Sequence, residues 1–353
     1  MPSMPFGRTE ASPKIDVVSL IARIVASYRL AVRTPLGSLD SFWLTMFSDL
    51  KREIHDALLT NDPTVIRGLL RDPSRSDLLY GFDNLAKSLL PAPADPAAHA
   101  SEIYSLLVKL SEAVGGRAAR CPEYPLKEPL PEIDKLFAEL DEALGLRLDF
   151  PTPFPGEYGL STSRGIVSYR AVHAIYQAWR VSQLRDSLPA PRVLEIGGGL
   201  GRTAYYAWQF GLRDYTLIDI PMTAVAQANF LGRVLGEKTI QLYGETGEGS
   251  VRILPPAMFL DQLDYYDVVL NVDSLTEMAP ETARAYCTAI DSRAKMFLSI
   301  NHEEGRFKAR DVFAGRLVYR APYWLRRGYV EELTLRKQAE DKPSAAQPPT
   351  KSA

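Results

Sequence analysis

Four of five consecutive positions are glycine in the stretch RVLEIGGGLGRTA, residues 192–204, directly after a short apolar run. Glycine is favoured where a chain turns tightly or where its backbone approaches a ligand closely. The pattern predicts a strand-to-helix turn in which Gly197, Gly199 and Gly201 bring backbone amides and a helix N-terminus to a ligand. Gly199, Gly201 and Ala204 also fit the G-x-G-x-x-A pattern of dinucleotide-binding proteins, so the glycines alone leave the ligand open.

The carboxylates near this turn favour a positively charged ligand over a pyrophosphate. Glu195 stands two residues before the first glycine, where a carboxylate would repel a pyrophosphate and attract an ammonium or sulfonium group. The next predicted strand, in YTLIDIP, ends in Asp219, whose side chain can accept hydrogen bonds from both hydroxyls of a ribose.

LEIGGGLG resembles the E-x-G-x-G-x-G motif of class I S-adenosylmethionine-dependent methyltransferases. The resemblance implies S-adenosyl-L-methionine as the cofactor. It also implies that Asp219 binds the ribose and that Glu195 holds the methionine ammonium, directly or through water.

An NAD(P)-dependent nucleotide-sugar oxidoreductase or epimerase is the alternative interpretation of the glycine pattern. Such enzymes typically combine a tyrosine with a lysine four residues later, and no tyrosine in this sequence has lysine at that position. A non-catalytic scaffold that keeps a cofactor fold is a second alternative. The glycines together with Glu195 and Asp219 favour the methyltransferase over both.

Polar side chains also follow two further predicted strands. YDVVLNVDSLTEMAP places Asn271, Asp273 and Glu277 after one strand, and MFLSINHEEGR places His302 and Glu303 after another. Because ligands of open α/β sheets bind at the carboxyl ends of the strands, these residues are predicted to surround the ligand. We assign Asn271 to the cofactor site.

These two stretches resemble the sugar O-methyltransferase family, in which N-x-x-S-x-x-E-M and S-x-N-x-E-like segments recur. The likeness covers residues 155–335 and extends more loosely to the first half of the chain. It implies methylation of a hydroxyl of a sugar or glycan precursor, with S-adenosylhomocysteine as the product. O-methylation of another small molecule or natural product is the alternative.

Methyl transfer to a weakly acidic hydroxyl requires a base. His302 is the first candidate because imidazole titrates near neutral pH, and Glu277 is the second. A role for Mg²⁺ is left open, because Asp273, Glu277, His302 and Glu303 offer oxygen and nitrogen ligands, although their spacing does not require a metal. The candidate contacts to the acceptor are Tyr158, Arg164, Tyr323 and Trp324.

A βαβ pattern in the second half of the chain provides the elements that position these residues. β-rich runs separated by helix-length segments predict an α/β fold: a mostly parallel, Rossmann-like sheet of the class I methyltransferase type, with an antiparallel last strand. The predicted strands are 192–196, 215–220, 239–243, 267–272 and 295–300, with a closing pair in FAGRLVYR and RGYVEELTLR.

The first half of the chain has apolar residues at three- and four-residue spacing, which predicts an all-helical domain over 15–150. The Rossmann-like domain is predicted to cover 151–336, with a flexible N-terminus at 1–14 and a disordered tail at 337–353. The stretch 149–165 is rich in proline, glycine and serine, and is expected to be a linker or a loop that covers the substrate.

The composition is that of an ordinary globular protein. The 353 residues are 46% hydrophobic and 24% charged, and the net charge of −2 gives no basic field for nucleic acid or anionic membranes. Cys121 and Cys287 stand far apart, which argues against disulfides and Cys-based zinc sites. No apolar leader or long apolar run is present, so we expect a cytoplasmic protein without membrane insertion or a nucleic-acid partner. Its expected partner is a small-molecule or glycan substrate, and homo-oligomerisation is left open.

Overall fold

A computed structural model defines most of the second half of the chain and parts of the first. The described residues are 4–9, 18–34, 51–60, 62–73, 78, 95–120, 130–185, 188–261, 264–304, 307–313 and 315–336. The tail predicted to be disordered, 337–353, and Cys121 lie outside these ranges.

Helices form where apolar residues recur every three or four positions, and several begin at a proline in the first turn. Asp62 caps one of them by accepting a hydrogen bond from Thr64 N at 2.8 Å. The described helices are α1 (Val18–Ala31), α2 (Arg52–Leu59), α3 (Pro63–Arg71), α4 (Pro96–Ala113), α5 (Ile133–Leu144), α6 (Tyr169–Arg185), α7 (Arg202–Gln209), α8 (Pro221–Val234), α9 (Ala257–Leu260), α10 (Pro280–Arg293) and α11 (Ala309–Val312).

The strands include all seven that the sequence predicts in the second half, with small shifts at their ends. The described strands are β1 (Phe6–Arg8), β2 (Tyr158–Thr162), β3 (Gly165–Val167), β4 (Arg192–Ile196), β5 (Asp214–Ile218), β6 (Ile240–Leu242), β7 (Val251–Leu254), β8 (Tyr266–Val272), β9 (Ala294–His302), β10 (Leu317–Pro322) and β11 (Tyr329–Leu335). Strand β7, a four-residue strand that lies between β5 and β6 in the sheet, is not among the predicted strands.

Eight strands form one sheet in the order β10-β11-β9-β8-β4-β5-β7-β6. The six strands from β4 to β9 pair in parallel, whereas β11 pairs antiparallel with both β9 and β10. The predicted α/β, mostly parallel sheet with an antiparallel last strand is therefore confirmed.

The strand order reverses at β4. From β4 the chain passes to β5 on one side, and it later returns to β8 on the other side. Buried apolar side chains pack against both faces of the sheet: Val193 and Leu217 belong to one cluster, Leu194 and Ile218 to the other. This reversal opens a crevice at the carboxyl ends of β4, β5 and β8, which is where open α/β sheets bind ligands.

The prediction of a separate all-helical domain over 15–150 is not confirmed, and the stretch 1–14 contains a strand. Strand β1 lies within the stretch predicted to be flexible, and it pairs antiparallel with β2 because Phe6 stands opposite Leu160. Helix α1 packs closely on α8, since a Cβ added at Gly232 would lie 2.6 Å from Leu20 Cδ2. The first half thus shares a hydrophobic core with the sheet.

The stretch 149–165, expected to be a linker or a loop that covers the substrate, contains β2 and the start of β3 and so has regular structure. Glu157 is buried in this stretch and forms an ion pair with Arg202, the first residue of α7. Tyr205 also donates a hydrogen bond to Asp149 Oδ1 at 2.6 Å. The segment is fastened to the helix that follows the glycine turn.

Within the described residues, no helix is both long enough and apolar enough to span a membrane.

Candidate functional site

The glycine turn joins β4 to α7 and has backbone angles that residues other than glycine rarely adopt. Gly197, Gly199 and Gly201 have φ values of +75°, +56° and +90°. The turn is closed by hydrogen bonds from Gly197 N to Ile218 O and from Gly201 N to Gly198 O, both of 2.9 Å. This geometry matches the predicted strand-to-helix turn.

Gly197 and Gly199 differ in the space that surrounds the position of an added Cβ atom. A Cβ added at Gly197 would overlap the side chain of Ser274, which follows β8. At Gly199, by contrast, an added Cβ would meet no atom within 4 Å among the described residues. Gly199 therefore borders open space at the carboxyl end of β4.

We expect Gly199→Ala to weaken ligand binding at the crevice about ten-fold, because the added methyl group would occupy the space a ligand needs. Gly236→Ala is the matched control: Gly236 has a φ of +93° and no atom within 4 Å of its added Cβ in the described structure. Both variants should lose similar thermal stability, measured by calorimetry. Equal affinities in the two variants would contradict this location of the site.

Asp219 follows β5 directly and lies at the crevice. Its Oδ1 accepts a hydrogen bond from Ile220 N at 2.9 Å, and its Oδ2 accepts one from Gln227 Nε2 at 2.8 Å. Burial, opposed by these hydrogen bonds and by one from the Gly199 amide, raises the pKa of Asp219 to about 7. Three of its roughly four acceptor sites are used, so the carboxylate can accept about one further hydrogen bond, and binding both hydroxyls of a ribose would require one present bond to be exchanged.

Glu195 lies beneath the glycine turn rather than in open space. Only 3% of the residue is exposed, and a Cβ added at Gly198 would lie 3.1 Å from its carboxyl group. Tyr215 donates a hydrogen bond to Glu195 Oε2 at 2.9 Å. Burial raises the pKa of Glu195 to about 7, although hydrogen bonds from Tyr215 and Thr203 oppose the shift. The carboxyl group supports the turn from below, and its contact with a cofactor ammonium stays a prediction.

We expect Glu195→Gln to stabilise the ligand-free protein by about 1 to 3 kcal/mol at pH 8. The raised pKa means that ionising Glu195 costs stability as the pH rises from its ordinary value of 4.5 through about 7. The gain should therefore be full above pH 7 and vanish toward pH 4.5. Urea unfolding at both pH values tests this, with Glu248→Gln in an exposed loop as the control. A gain in stability that is equal at both pH values would contradict the conclusion that the charge of Glu195 destabilises the protein.

Asn271, predicted to bind the cofactor, is completely buried at the end of β8. Its Nδ2 donates hydrogen bonds to Ile196 O at 3.0 Å and to Ser274 Oγ at 2.5 Å. Its Oδ1 accepts a hydrogen bond from Asn301 Nδ2 at 3.0 Å. The amide thus ties β8 and β9 to the start of the glycine turn, a positioning role. Direct contact with a cofactor would require these bonds to be exchanged, and stays a prediction.

His302, the first candidate base, is the last residue of β9 and is half-buried. Its register partner on β11 is Tyr329, whose ring packs edge-on with ring centroids 5.7 Å apart. His302 Nδ1 is buried and has no hydrogen-bond partner among the described residues. A buried nitrogen without a partner is unfavourable, and a ligand or water that reached this ring would relieve that cost.

Glu277, the second candidate base, ends a short 3-10 turn, Ser274–Glu277, and is exposed. The geometry leaves both base assignments as predictions.

A cluster that the sequence analysis missed joins β8 to the turn between β10 and β11. Asp273 Oδ1 accepts a hydrogen bond from the Tyr329 hydroxyl at 2.6 Å, and Oδ2 accepts one from Arg326 Nη1 at 3.0 Å. The Arg326 guanidinium also lies 4.0 Å from the centre of the Tyr329 ring. Asp273 was singled out as polar, but no local sequence signal identifies its two partners.

Asp273 also carries backbone strain. Its φ of +67° with ψ of −42° is the only positive φ of a non-glycine residue in the described part of the chain. Such strain persists only where surrounding contacts impose it, and it concentrates at functional sites.

The Mg²⁺ interpretation gains no support. The described residues contain no group of three histidine, cysteine, aspartate or glutamate side chains placed to hold a metal ion. Asp273 is engaged by Arg326, and Glu303 forms ion pairs with Arg310 and Arg320. Bound guanidinium groups compete with a cation for these carboxylates.

Of the four residues predicted to contact the acceptor, two have structural partners, one is buried and one is exposed. Arg164 is held by Asp141 through two hydrogen bonds of 2.8 and 2.7 Å, and Tyr158 stacks on Phe6 with ring centroids 5.4 Å apart. Both have structural partners. Tyr323 is buried, whereas Trp324, two residues before Arg326 in the chain, is exposed.

No family model matches the chain, and no curated protein matches it. Solved structures that are similar include a magnesium protoporphyrin IX methyltransferase from Synechocystis with bound S-adenosylhomocysteine, at 16% identity and a TM-score of 0.35, covering 49% of this chain and 90% of that chain. A glycopeptide N-methyltransferase complexed with S-adenosyl-L-methionine is 12% identical, with a TM-score of 0.36 and coverage of 46% and 94%. A Thermoplasma acidophilum protein is 13% identical, with a TM-score of 0.33 and coverage of 47% and 88%. Identities and TM-scores this low assign no activity and no residue role to this chain.

Proposed function

We propose that the protein is an S-adenosylmethionine-dependent methyltransferase that acts on a hydroxyl of a sugar or glycan precursor. The observation that carries the proposal is the position of Asp219. Its carboxyl group lies at the end of β5, accepts a hydrogen bond from the Gly199 amide and adjoins the open side of the glycine turn. Strand β5 pairs with β4, the strand at which the strand order reverses.

The residues at this point fit a cofactor that combines a ribose with a positive charge. Gly199 leaves space for the ligand, and Asp219 offers a remaining acceptor site to a ribose hydroxyl. Glu195 and Asp219 both have a pKa of about 7, and a nearby cation would favour their ionised forms. A pyrophosphate would have the opposite effect, which disfavours a dinucleotide at the same position.

S-adenosylmethionine, when bound, supplies a methyl group on a positively charged sulfur. The acceptor hydroxyl oxygen would form a bond to this methyl carbon as the carbon–sulfur bond breaks, leaving S-adenosylhomocysteine. In our proposal His302 takes the proton that the hydroxyl loses, because its Nδ1 has no hydrogen-bond partner in the described structure. A hydroxyl acceptor needs such a base because it loses a proton on methylation, so a candidate base at this position favours hydroxyl acceptors.

Calorimetric titration with S-adenosylmethionine, S-adenosylhomocysteine and NADH, each with and without Mg²⁺, tests the cofactor. We expect saturable binding of the first two ligands and none of NADH. Binding of NADH alone would overturn the proposal in favour of an oxidoreductase. Once the cofactor is established, a panel of sugars, nucleotide-linked sugars and non-carbohydrate alcohols tests the acceptor. Methylation restricted to the non-carbohydrate alcohols would reject the sugar assignment.

A further inference from the structure

The turn between β10 and β11, residues 323–328, lies at the candidate active site. Tyr329 stands opposite His302 at the carboxyl end of β9, so the residues just before Tyr329 extend past that end. Arg326 reaches from this turn to Asp273, which follows β8. The turn therefore borders the same edge of the sheet as the glycine turn.

Buried anchors fix the conformation of the turn. Tyr323 and Leu325 are 4% and 2% exposed and belong to the main core. The hydroxyl of Tyr323 forms a hydrogen bond of 2.9 Å with His173 Nδ1, and Tyr323 N donates to Tyr329 O at 2.8 Å. A turn held at both anchors and through Arg326 is ordered before any ligand binds, which lowers the entropy cost of binding.

Trp324 stands between the two buried anchors and is 52% exposed. Tryptophan is usually well buried, so a ring presented to solvent by an ordered turn beside a candidate active site is not explained by packing. An indole face suits a ligand with a flat apolar side, and the C–H groups on one face of a pyranose ring provide one.

The charges near Trp324 distinguish among such ligands. Arg327 is exposed, and no partner for its guanidinium is found in the described part of the chain. Arg326, Arg170 and Lys109 all act electrostatically on His173, the partner of Tyr323. Carboxylates also lie near the turn: Asp273 and Glu277 act electrostatically on Tyr329, and Glu331 acts on Tyr323. Asp273 is paired with Arg326 and Glu331 with Arg180, while Glu303 and Glu304 follow His302 at the end of β9. The exposed guanidinium of Arg327, with no partner found among the described residues, disfavours a cationic ligand on the indole and favours an anionic one.

We propose that residues 323–328 bind the acceptor and select a sugar ring that carries an anionic group. The apolar face of the ring lies on Trp324, and the carboxylate or phosphate lies beside Arg327. This inference rests on the proposed function, because it assigns the second substrate of the same site.

Saturation-transfer NMR on the full chain with S-adenosylhomocysteine tests the inference directly, without turnover. The probes are glucuronate, glucose 6-phosphate and neutral methyl glucoside, with inorganic phosphate as a control for binding of the anion alone. We expect at least one anionic sugar to bind more tightly than the neutral sugar. The preference between glucuronate and glucose 6-phosphate identifies the anionic group.

Trp324→Ala should raise the dissociation constant of the preferred sugar about ten-fold, whereas Trp324→Phe keeps an aromatic face and most of the affinity. Val318→Ala, an equally exposed apolar residue on β10, should change nothing. Arg327→Ala should reduce the affinity for the anionic sugar to that for the neutral one.

The inference is overturned if none of the sugars binds the wild-type chain at millimolar concentration, or if Trp324→Ala binds them unchanged. Tighter binding of the neutral sugar would refute the anionic preference. Calorimetry with S-adenosylmethionine on the same samples keeps the two proposals separate. Loss of cofactor binding would reject the proposed function, whereas intact cofactor binding without sugar binding would reject only the inference about the turn.

Discussion

Replacing His302 with alanine is expected to lower kcat for methyl transfer about 100-fold while leaving the affinity for S-adenosylmethionine nearly unchanged. His302 ends β9, and its Nδ1 is buried without a hydrogen-bond partner among the described residues. In the proposed mechanism His302 acts on the acceptor proton and not on the cofactor, so the cofactor affinity should persist. Steady-state kinetics with the acceptor identified by panel screening, together with calorimetry for the cofactor, measure both quantities.

Added imidazole should restore part of the rate of the His302→Ala enzyme, because a small base can enter the space of the missing ring. His55→Ala is the matched control: His55 lies in α2 and forms a 2.8 Å hydrogen bond with the Tyr28 hydroxyl. That variant should lose stability and keep its kcat. If kcat survives in His302→Ala and falls in Glu277→Gln, the base is Glu277.

The parts of the site that the sequence predicts are those built from neighbouring residues. Gly197, Gly199 and Gly201 lie within five positions, and their positive φ values follow from one tight turn. The carboxyl end of β5 carries Asp219 because a short β-rich run ends there. Local backbone preferences and strand periodicity are sufficient to place these residues.

The parts that the sequence analysis missed depend on contacts between distant residues. Arg326 and Tyr329 lie 53 and 56 positions after Asp273 and reach it only because β11 folds back beside β9. Strand β1 is three residues long and forms because β2, about 150 positions later, provides a partner. Tertiary pairing of this kind leaves no local pattern in the sequence.

Burial makes Glu195 and Asp219 costly to ionise in the ligand-free protein and also suits them to a cationic ligand. Glu195 and Asp219 are charged residues that the sequence places near a ligand, and both have a raised pKa because the sheet and the glycine turn exclude water from them. The charge of Glu195 also contributes to the raised pKa of Asp219. The ligand-free protein is therefore destabilised by charge at this crevice, and a cationic ligand would relieve that cost.

Asp219→Ala is expected to weaken the binding of S-adenosylmethionine by about 1 to 3 kcal/mol, or roughly 5- to 150-fold, because the ribose hydroxyls lose their charged acceptor. Asp214→Ala is the matched control, since Asp214 begins the same strand at its opposite end and forms ion pairs with Arg192 and Arg252. Its removal should leave the affinity unchanged. Calorimetric titration of both variants measures the difference.

The pH dependence of the same measurement tests the charge itself. With a pKa of about 7, Asp219 is mostly protonated at pH 6 and mostly ionised at pH 8. A carboxylate that must be ionised to bind then gives about ten-fold weaker binding at pH 6 than at pH 8 in the wild-type protein. The dependence should be reduced in Asp219→Asn and retained in Asp214→Ala. Equal affinity of the wild type and Asp219→Ala at both pH values would mean that the ribose does not bind at the end of β5, because no other change in the variant could replace the lost acceptor.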